Sequence, residues 1–238
     1  MGKMNVSILV TNYKKAHLFK ECIKSVIPQL IDGDEFCVVD DNEYDGIREV
    51  LGQYPFRWRY LNTGNRKYRS GCKAKNIALK LSRNPICIIS DPEVYHITSC
   101  ITEMRKMLQE DPRQFIVPGS MYLSRDINQI IEQFLLDRKD FGFIPHSMAP
   151  YIGGAMRQEL IDIGGWDERF EYWGNDDNDL MGRLGRNGCK HVVVDEFEAL
   201  HLWHSRAPKE AMGDANESLL YEENKPIVAN GGKEWGKI

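Results

Sequence analysis

Short apolar runs alternate with amphipathic segments through the first half of this 238-residue chain, and this alternation constrains the fold more than any other feature. The runs are rich in β-branched and other apolar residues, as is typical of buried strands. Strand and helix in alternation predict a parallel sheet with helices on both faces, because right-handed crossovers place them there. The predicted strands cover residues 6–10, 36–39, 58–61 and 86–89, and the predicted helices cover 18–27, 47–51 and 74–81.

The second half of the chain is less regular. Helical spacing recurs at 97–108 and 127–136, another helix opens at the acidic run 176–179, and a strand is predicted at 191–194. We find no internal repeat and no linker in the sequence. A chain of this length can bury a large core, so we expect one α/β domain rather than two.

Composition limits the cellular compartment and the kinds of partner that we expect for this chain. No apolar stretch approaches the roughly 20 residues that span a bilayer, and the first residues lack the apolar stretch of a signal peptide. The six cysteines form no Cys-x-x-Cys pair, which favours reduced, buried thiols and a cytoplasmic protein without an integral membrane segment. The net charge of -4 gives no reason to expect nucleic acid as a partner.

Polar clusters follow three of the predicted strands. Carboxyl ends of parallel strands meet at one edge of an open α/β sheet, and ligands bind at that edge. We therefore expect the three clusters to border one crevice. They are Thr11-Asn12-Tyr13, Asp40-Asp41 and Asp91-Pro92-Glu93.

The carboxylates of these clusters have a functional and a structural explanation. Asp91 and Glu93 suit a hard divalent cation such as Mg²⁺ or Mn²⁺, but an Asp-Pro turn with a solvated Glu explains the same residues. Asp40 and Asp41 could pair with a ribose hydroxyl or a base N–H, or could form a turn and a helix cap.

The acidic run 176–179 follows Trp173 and Gly174. Carboxylates at a helix N-terminus gain from the helix dipole, which is the structural explanation. One or two carboxylates suffice for this interaction with the helix dipole, however, and a Trp-Gly pair is not part of a helix cap. A carboxylate beside an aromatic side chain can act as general base towards a hydroxyl, so we favour a catalytic role for Asp177.

His201 and His204 follow the last predicted strand closely. A neutral imidazole from either could add a nitrogen ligand to the same metal ion. Two histidines at this spacing match no complete zinc signature, and a structural role for either is an equal alternative.

A basic cluster lies between Asp41 and Asp91. In a chain of negative net charge this concentration indicates a contact to phosphate, although a solvated helix face accounts for part of it. No dinucleotide-binding, P-loop or Gly-x-Ser-x-Gly motif is present. The basic residues are Arg66, Lys67, Arg69, Lys73 and Lys75.

Taken in order, these segments resemble the GT-A-fold nucleotide-sugar glycosyltransferases of family 2. Residues 6–13 resemble the family's first strand with its Thr-Tyr-Asn-type turn, and residues 38–42 resemble its Val-Val-Asp-Asp-Gly-Ser segment. Lys75-Asn76 stands where the family usually carries Ala-Arg-Asn, with Lys in place of Arg. Asp91-Pro92-Glu93 occupies the position of the Asp-x-Asp motif, with Glu in place of the second, metal-binding Asp.

The resemblance extends to the acceptor side. Residues 164–168 are similar to the Gly-Trp-Asp-Glu motif and residues 173–177 to the Trp-Gly-x-Glu-Asp motif, a pairing also similar to galactosyltransferases and polypeptide N-acetylgalactosaminyltransferases. Asp176 stands where Glu is usual, while Asp177 matches the Asp that acts as base in inverting members. The histidine pair resembles in placement the late His that completes the metal shell in some members.

The resemblance covers roughly residues 5–205 and implies a GT-A fold, with a Rossmann-like, mostly parallel central sheet flanked by helices in a single domain. Within a domain of residues 1–205 it implies a nucleotide-binding half at about 1–95 and an acceptor-binding half at about 96–205. The tail, 206–238, could act as a lid. The implied activity is the transfer of a hexose from a nucleotide-diphosphate sugar to an acceptor hydroxyl, with inversion. The donor implied first is a UDP-sugar, and the acceptor is a glycan, a lipid-linked molecule or another compound with a hydroxyl.

The resemblance also assigns roles to residues. It implies that Asp177 takes the proton of the acceptor hydroxyl with Asp176 beside it, and that Mn²⁺ or Mg²⁺ neutralises the leaving diphosphate. The implied metal ligands are Asp91, Glu93, His201 and His204; the implied nucleotide-binding residues are Thr11, Asn12, Tyr13, Asp40, Asp41, Arg69, Lys75 and Asp91; the implied acceptor residues are Trp166, Trp173 and Gly174.

Three other functions remain open at this point. A sugar-phosphate nucleotidyltransferase would use a related sheet, but it usually needs a Gly-rich loop after the first strand, and residues 11–15 contain no glycine. A non-catalytic nucleotide- or carbohydrate-binding module is favoured by the altered Asp-x-Asp and Ala-Arg-Asn positions. A metal-dependent hydrolase built on Asp91, Asp177 and His201 is the weakest alternative, because we see no second cluster of metal ligands.

Overall fold

Strand and helix alternate through the first half of the fold, as the sequence predicts. The computed structural model describes residues 2–41, 44–64, 71–126, 129–145, 152–171, 174–205, 214–231 and 233–237. The strands of this half are β1 (Val6–Asn12), β2 (Glu35–Asp40), β3 (Arg57–Asn62) and β4 (Ile86–Ser90). The helices are α1 (Ala16–Val26), α2 (Ile47–Gly52) and α3 (Gly71–Leu81), with a 3₁₀ turn (Ile27–Gln29) after α1.

The first four strands are parallel and lie in the order β3-β2-β1-β4. Successive side chains of β1 point to opposite faces of the sheet, and both faces are covered. Ile8 packs with Phe36 and with Phe19 of α1, whereas Leu9 packs in a second core with Ile77 of α3. Burial on both faces explains why these strands are continuous apolar runs.

The second half adds five strands and five helices in the described ranges. The strands are β5 (Val94–His96), β6 (Gln114–Leu123), β7 (Gly142–Pro145), β8 (Ile152–Met156) and β9 (Lys190–His201). The helices are α4 (Cys100–Glu110), α5 (Ile131–Leu136), α6 (Arg157–Asp162), α7 (Asp176–Arg186) and α8 (Asp214–Leu220). All nine strands form one sheet in the order β3-β2-β1-β4-β8-β6-β9-β5, with β7 paired to β6.

This arrangement confirms the α/β class, but the sheet is mixed rather than mostly parallel. Strand β8 runs antiparallel to both of its neighbours, β4 and β6, and four of the eight described strand pairs are antiparallel. The sequence did not predict β8, because two of its five residues are glycine. The close packing requires Gly154, since a Cβ there would come within 3.0 Å of both Ile88 Cδ1 and Met104 Sδ.

The described part of the tail packs against the body of the domain. The Lys225 ammonium lies 2.6 Å from Asp179 Oδ1 in α7, and the Ala229 amide donates to the Ile163 carbonyl at 2.8 Å. The division of the domain near residue 95 and a lid role for the tail stay predictions.

Two further expectations concern the cysteines and the membrane. All six cysteines are buried and free, in agreement with the expectation of reduced thiols. Among the described residues, none of the helices combines the length and the apolarity that a membrane span requires.

Candidate active site

Asn12, at the end of β1, joins the first two strand ends to the start of α1. Its amide nitrogen donates to Asp40 Oδ1 at 2.8 Å and to Asp45 Oδ2 at 2.9 Å. Its amide oxygen accepts the backbone N–H of Lys15 at 3.0 Å, and Asp45 also accepts the N–H of Ala16. Asn12 therefore holds the β1–α1 loop against β2, which is a positioning role.

Asp40 and Asp41 differ in exposure although they are neighbours. Asp40 is fully buried, and its second oxygen accepts hydrogen bonds from Tyr60 Oη at 2.9 Å and Asn62 Nδ2 at 3.0 Å. Burial raises the pKa of Asp40 despite these hydrogen bonds. Asp41 is half-buried and accepts a hydrogen bond from Thr63 Oγ1 at 2.6 Å. The structure thus leaves Asp41, rather than Asp40, accessible to a nucleoside.

Glu93, His201 and His204 form a cluster that we call the metal cluster. One ligand atom of each lies within 4.8 Å of the others, and Glu93 Oε1 is 3.2 Å from His204 Nε2 and 3.7 Å from His201 Nε2. Two adjacent strands bring them together, because β5 pairs with β9 and the Leu202 amide donates to the Glu93 carbonyl at 2.9 Å. Asp91 is not a member of this cluster of described residues.

The metal cluster fits a divalent cation in three respects. Glu93 Oε2 is buried and has no hydrogen-bond partner among the described residues. We assign the proton of His204 to Nδ1, because the Ser205 carbonyl at 2.9 Å can only accept, and Nε2 then turns its lone pair towards Glu93. Burial chiefly lowers the pKa of His201, which keeps the imidazole in its neutral, ligating form.

Lys15 also reaches the metal cluster, and the sequence motifs did not identify it. Its ammonium forms an ion pair with Glu93 Oε1 and lies 3.3 Å from His204 Nε2. Burial would raise the pKa of Glu93, but its cationic surroundings, the Lys15 ammonium among them, lower it to about 2. No sequence signal separates Lys15 from an ordinary lysine at the start of a helix, since its partner Glu93 lies far along the chain.

Lys75, Asp176 and Asp177 form a second cluster, which we call the carboxylate cluster. The Lys75 ammonium of α3 lies 2.9 Å from Asp176 Oδ2 and 2.8 Å from Asp177 Oδ1, at the N-terminus of α7. Asp177 Oδ1 also accepts a hydrogen bond from Trp166 Nε1 at 3.2 Å. Trp166 is completely buried, so its indole supports Asp177 from the core and presents no face to solvent.

The two carboxylates share one ammonium but differ in their pKa. Burial, and next the charge of Asp176, raise the pKa of Asp177 above its ordinary value even though Lys75 opposes them. Burial would also raise the pKa of Asp176, but Lys75 outweighs it and lowers that pKa. Burial would lower the pKa of Lys75, and the carboxylates raise it well above its ordinary value. Asp177 is therefore the stronger base of the pair.

The charges of both clusters influence Asp91, which follows β4 directly. Burial, and next the negative charge of Glu93, raise the pKa of Asp91 to about 7, whereas Lys75 and Lys15 lower it. Burial is thus the main cause of the raised pKa and the charge of Glu93 the second, and a bound cation would lower the pKa of Asp91.

Asn76, the residue after Lys75, fixes the loop that carries Trp166. Its side chain accepts the Trp166 N–H at 2.8 Å and donates to the Trp166 carbonyl at 2.8 Å. A Cβ on Gly165, whose φ is +67°, would come within 2.3 Å of Asn76 Oδ1. The Lys75-Asn76 pair thus contacts both acceptor-side motifs.

The remaining predicted site residues lie around the same edge or outside the described residues. Thr11 and Tyr13 are half-buried beside Asn12. Gly174 has a φ of +105° in the turn before α7, and its carbonyl accepts a hydrogen bond from Asn216 of the tail. Arg69 and Trp173 lie outside the described residues, as do Arg66 and Lys67.

Comparison with known families identifies the chain. A family model described as "Glycosyl transferase family 2" matches residues 7–158, more than half of the sequence, including Asp40-Asp41, Lys75-Asn76 and Asp91-Pro92-Glu93. The chain belongs to glycosyl transferase family 2. A second model, described as "N-terminal domain of galactosyltransferase", matches residues 143–205, which contain the acceptor-side motifs and both histidines. These matches confirm the resemblance and the enzyme class, a transferase.

Solved structures share the fold at low sequence identity. The mannosyltransferase PcManGT from Pyrobaculum calidifontis, in complex with GDP-Man and Mn²⁺, is 18% identical, with a TM-score of 0.61 over 88% of this chain and 59% of that chain. GalNAc-T7 with UDP, GalNAc and Mn²⁺ is 13% identical, with a TM-score of 0.63 over 85% and 44%. TarS 1-349 of S. aureus with UDP-GlcNAc is 14% identical, with a TM-score of 0.64 over 86% and 60%.

These structures confirm the GT-A fold of this family 2 domain. The domain spans only 44% to 60% of the length of those three chains. No curated protein matches the chain in sequence.

Proposed function

We propose that this family 2 domain transfers a hexose from a nucleotide-diphosphate sugar to an acceptor hydroxyl, with inversion at the anomeric carbon. The observation that carries the proposal is the geometry of two clusters: Glu93, His201 and His204 have ligand atoms within 4.8 Å of one another, and Lys75 pairs with both Asp176 and Asp177. One cluster is suited to a divalent cation, and the other contains a carboxylate whose pKa is raised. A cation for the leaving group and a base for the acceptor are the two parts that direct displacement needs.

The metal cluster would hold the cation through Glu93, His201 and His204, with Asp91 close by. We propose Mn²⁺ rather than Mg²⁺, because imidazole supplies two of the three donors and Mg²⁺ demands oxygen ligands. Two of the similar structures contain Mn²⁺, which supports this choice. When bound, the ion would supply Lewis-acid stabilisation of the negative charge on the leaving diphosphate.

Asp177 would take the proton from the acceptor hydroxyl as the oxygen attacks the anomeric carbon. Its raised pKa makes it a better proton acceptor than an ordinary carboxylate, and Trp166 and Lys75 hold it in place. Asp176 would stay charged and keep Lys75 paired, because its own pKa is lowered. A single displacement with one general base gives inversion.

The nucleotide would bind at the ends of β1 and β2. Asp41 is the accessible acceptor there for a ribose hydroxyl or a base N–H, with Thr11 and Tyr13 on the neighbouring strand end. We propose uridine as the nucleoside, because two of the three similar structures are complexes with UDP or UDP-GlcNAc. The acceptor is a hydroxyl of a glycan, of a lipid-linked molecule or of another compound.

Thermal unfolding with UDP, GDP and CDP, each with and without Mn²⁺, tests the donor side of this proposal. A ligand at 100 times its Kd adds about 2.7 kcal/mol to the free energy of unfolding, which a melting curve resolves. We expect stabilisation by UDP that depends on Mn²⁺ and that Glu93→Gln reduces. Stabilisation that is equal with and without Mn²⁺ contradicts the metal site.

Product analysis separates transfer from the alternatives. With a UDP-sugar and an acceptor, we expect UDP to be released together with a glycoside of inverted configuration. Release of pyrophosphate indicates a nucleotidyltransferase, and nucleotide binding without turnover of any UDP-sugar indicates a binding module.

A further inference from the structure

Lys15 is distinctive because its ammonium contacts two of the three side chains proposed as metal ligands. It forms an ion pair with Glu93 Oε1 and lies 3.3 Å from His204 Nε2. The family motifs give this lysine no role, and the donor and acceptor chemistry proposed above does not use it. Its position therefore needs an explanation of its own.

The backbone of Lys15 is fixed, so only its side chain can move. The Lys15 N–H donates to Asn12 Oδ1 at 3.0 Å, and the Lys15 carbonyl accepts the N–H groups of Leu18 at 3.0 Å and Phe19 at 2.9 Å. These bonds tie the residue to the end of β1 and to the first turn of α1. A side chain of four methylenes on such an anchor reaches the metal cluster and can leave it without any change in the loop.

The ammonium takes the place that a metal ion needs. With the His204 proton on Nδ1, the lone pair of Nε2 and a lone pair of Glu93 Oε1 converge, and the two atoms are 3.2 Å apart. Lys15 donates a hydrogen to each, which satisfies both lone pairs and neutralises Glu93. A divalent cation would bind the same two lone pairs, and the ammonium and the cation cannot both do so.

We propose that Lys15 is a resident cation of the metal cluster. It holds Glu93 and His204 together in the metal-free domain, and the divalent ion must displace it. This inference rests on the proposed function of that cluster. The displaced ammonium stays in the crevice on its fixed backbone, where the diphosphate of the donor supplies new anionic oxygens for it. Metal and nucleotide consequently bind with positive coupling.

The test measures Mn²⁺ affinity by electron paramagnetic resonance, with and without UDP, in the wild type and three variants. We expect Lys15→Met to bind Mn²⁺ in the absence of UDP at least about tenfold more tightly than the wild type, because no ammonium competes for Glu93. The further gain in Mn²⁺ affinity on adding UDP should be smaller in Lys15→Met than in the wild type. Lys14→Met is the matched control, since it removes the same charge from the same loop, and it should behave like the wild type. Glu93→Gln should lose Mn²⁺ binding.

The possible failures are distinguishable. If Lys15→Met binds Mn²⁺ no more tightly than Lys14→Met while Glu93→Gln loses the ion, the role of Lys15 is refuted and the metal cluster stands. If the wild type and Lys15→Met bind no Mn²⁺, even with UDP, the proposed metal cluster fails and the resident cation fails with it. A cooperative thermal unfolding transition in both lysine variants, in the absence of metal and nucleotide, shows that both are folded in the comparison.

Discussion

Replacing Asp176 and Asp177 one at a time by asparagine separates the proposed base from its electrostatic neighbour. Asn has the shape of Asp but cannot take a proton at neutral pH. Loss of a general base costs about 10²–10⁴-fold in rate, so Asp177→Asn should lower kcat by that factor. This corresponds to about 2.7–5.4 kcal/mol in the activation free energy. UDP affinity should not change, because we propose that the nucleoside binds at the ends of β1 and β2, whereas Asp177, at the start of α7, acts on the acceptor hydroxyl.

The same two changes should differ in their effects on stability. Burial and Asp176 raise the folded-state pKa of Asp177, so its negative charge is unfavourable in the folded state at pH 7. Asp177→Asn should therefore leave the free energy of unfolding unchanged or raise it. The folded-state pKa of Asp176 is lowered, so its contribution is complete above the unfolded pKa of about 3.9 and is lost as the pH falls through the folded pKa. Asp176→Asn should lower the free energy of unfolding at pH 7.

The pH dependence of kcat provides a third readout. The charge of Asp176 raises the pKa of Asp177, so Asp176→Asn should lower the pKa of the base and move the acidic limb of the kcat profile to lower pH. The measurements are kcat against pH at saturating substrates, UDP affinity by calorimetry and urea unfolding at pH 7. The assignment is refuted if Asp177→Asn keeps kcat within tenfold of the wild type, or if its kcat and its UDP affinity fall in parallel.

Three further predictions concern the loop before α7, the tail and the cation. Gly165→Ala should lower the free energy of unfolding by about 2–5 kcal/mol, because it adds left-handed strain and disturbs the Asn76 hydrogen bonds. Gly174→Ala should lower it less, because a Cβ there would meet nothing within 4 Å. Equal losses in urea unfolding contradict this. Lys225→Met should cost about 1–3 kcal/mol in the same assay, because it removes a buried partner of Asp179; no loss means that this ion pair contributes nothing to the stability of the domain. EDTA should abolish transfer and Mn²⁺ should restore it better than Mg²⁺; transfer that survives EDTA is the contrary result.

The strands of the first half could be predicted and several of the second half could not, for a physical reason. A parallel strand buried on both faces must be apolar throughout, so β1, β2 and β4 are visible as runs. Strand β8 is central too, but Gly154 lets it pack closely against Ile88 and Met104, and sequence propensity counts glycine against a strand. Strand β6 contains Pro118 and an irregular register after it, which conceals a ten-residue strand.

The candidate site divides in a similar way. The motifs predicted Glu93 and the two late histidines as partners, and the structure brings their ligand atoms together. They also indicated Asp177 as a base but not its contacts with Lys75 and Trp166. Whether Trp166 lies in the core or in the pocket could not be decided from the motif, because both positions favour tryptophan.

The sequence by itself determined the types of chemistry available and the order in which they occur along the chain. Local periodicity set the strands and helices, and the strand ends placed carboxylates at one edge of the sheet. Only the tertiary structure decided which side chains meet there, since Lys15 and Glu93, like Lys75 and Asp177, are far apart in sequence. The pKa of a carboxylate depends on such distant partners and on burial, so which of Asp176 and Asp177 is the stronger base follows from packing and not from the motif.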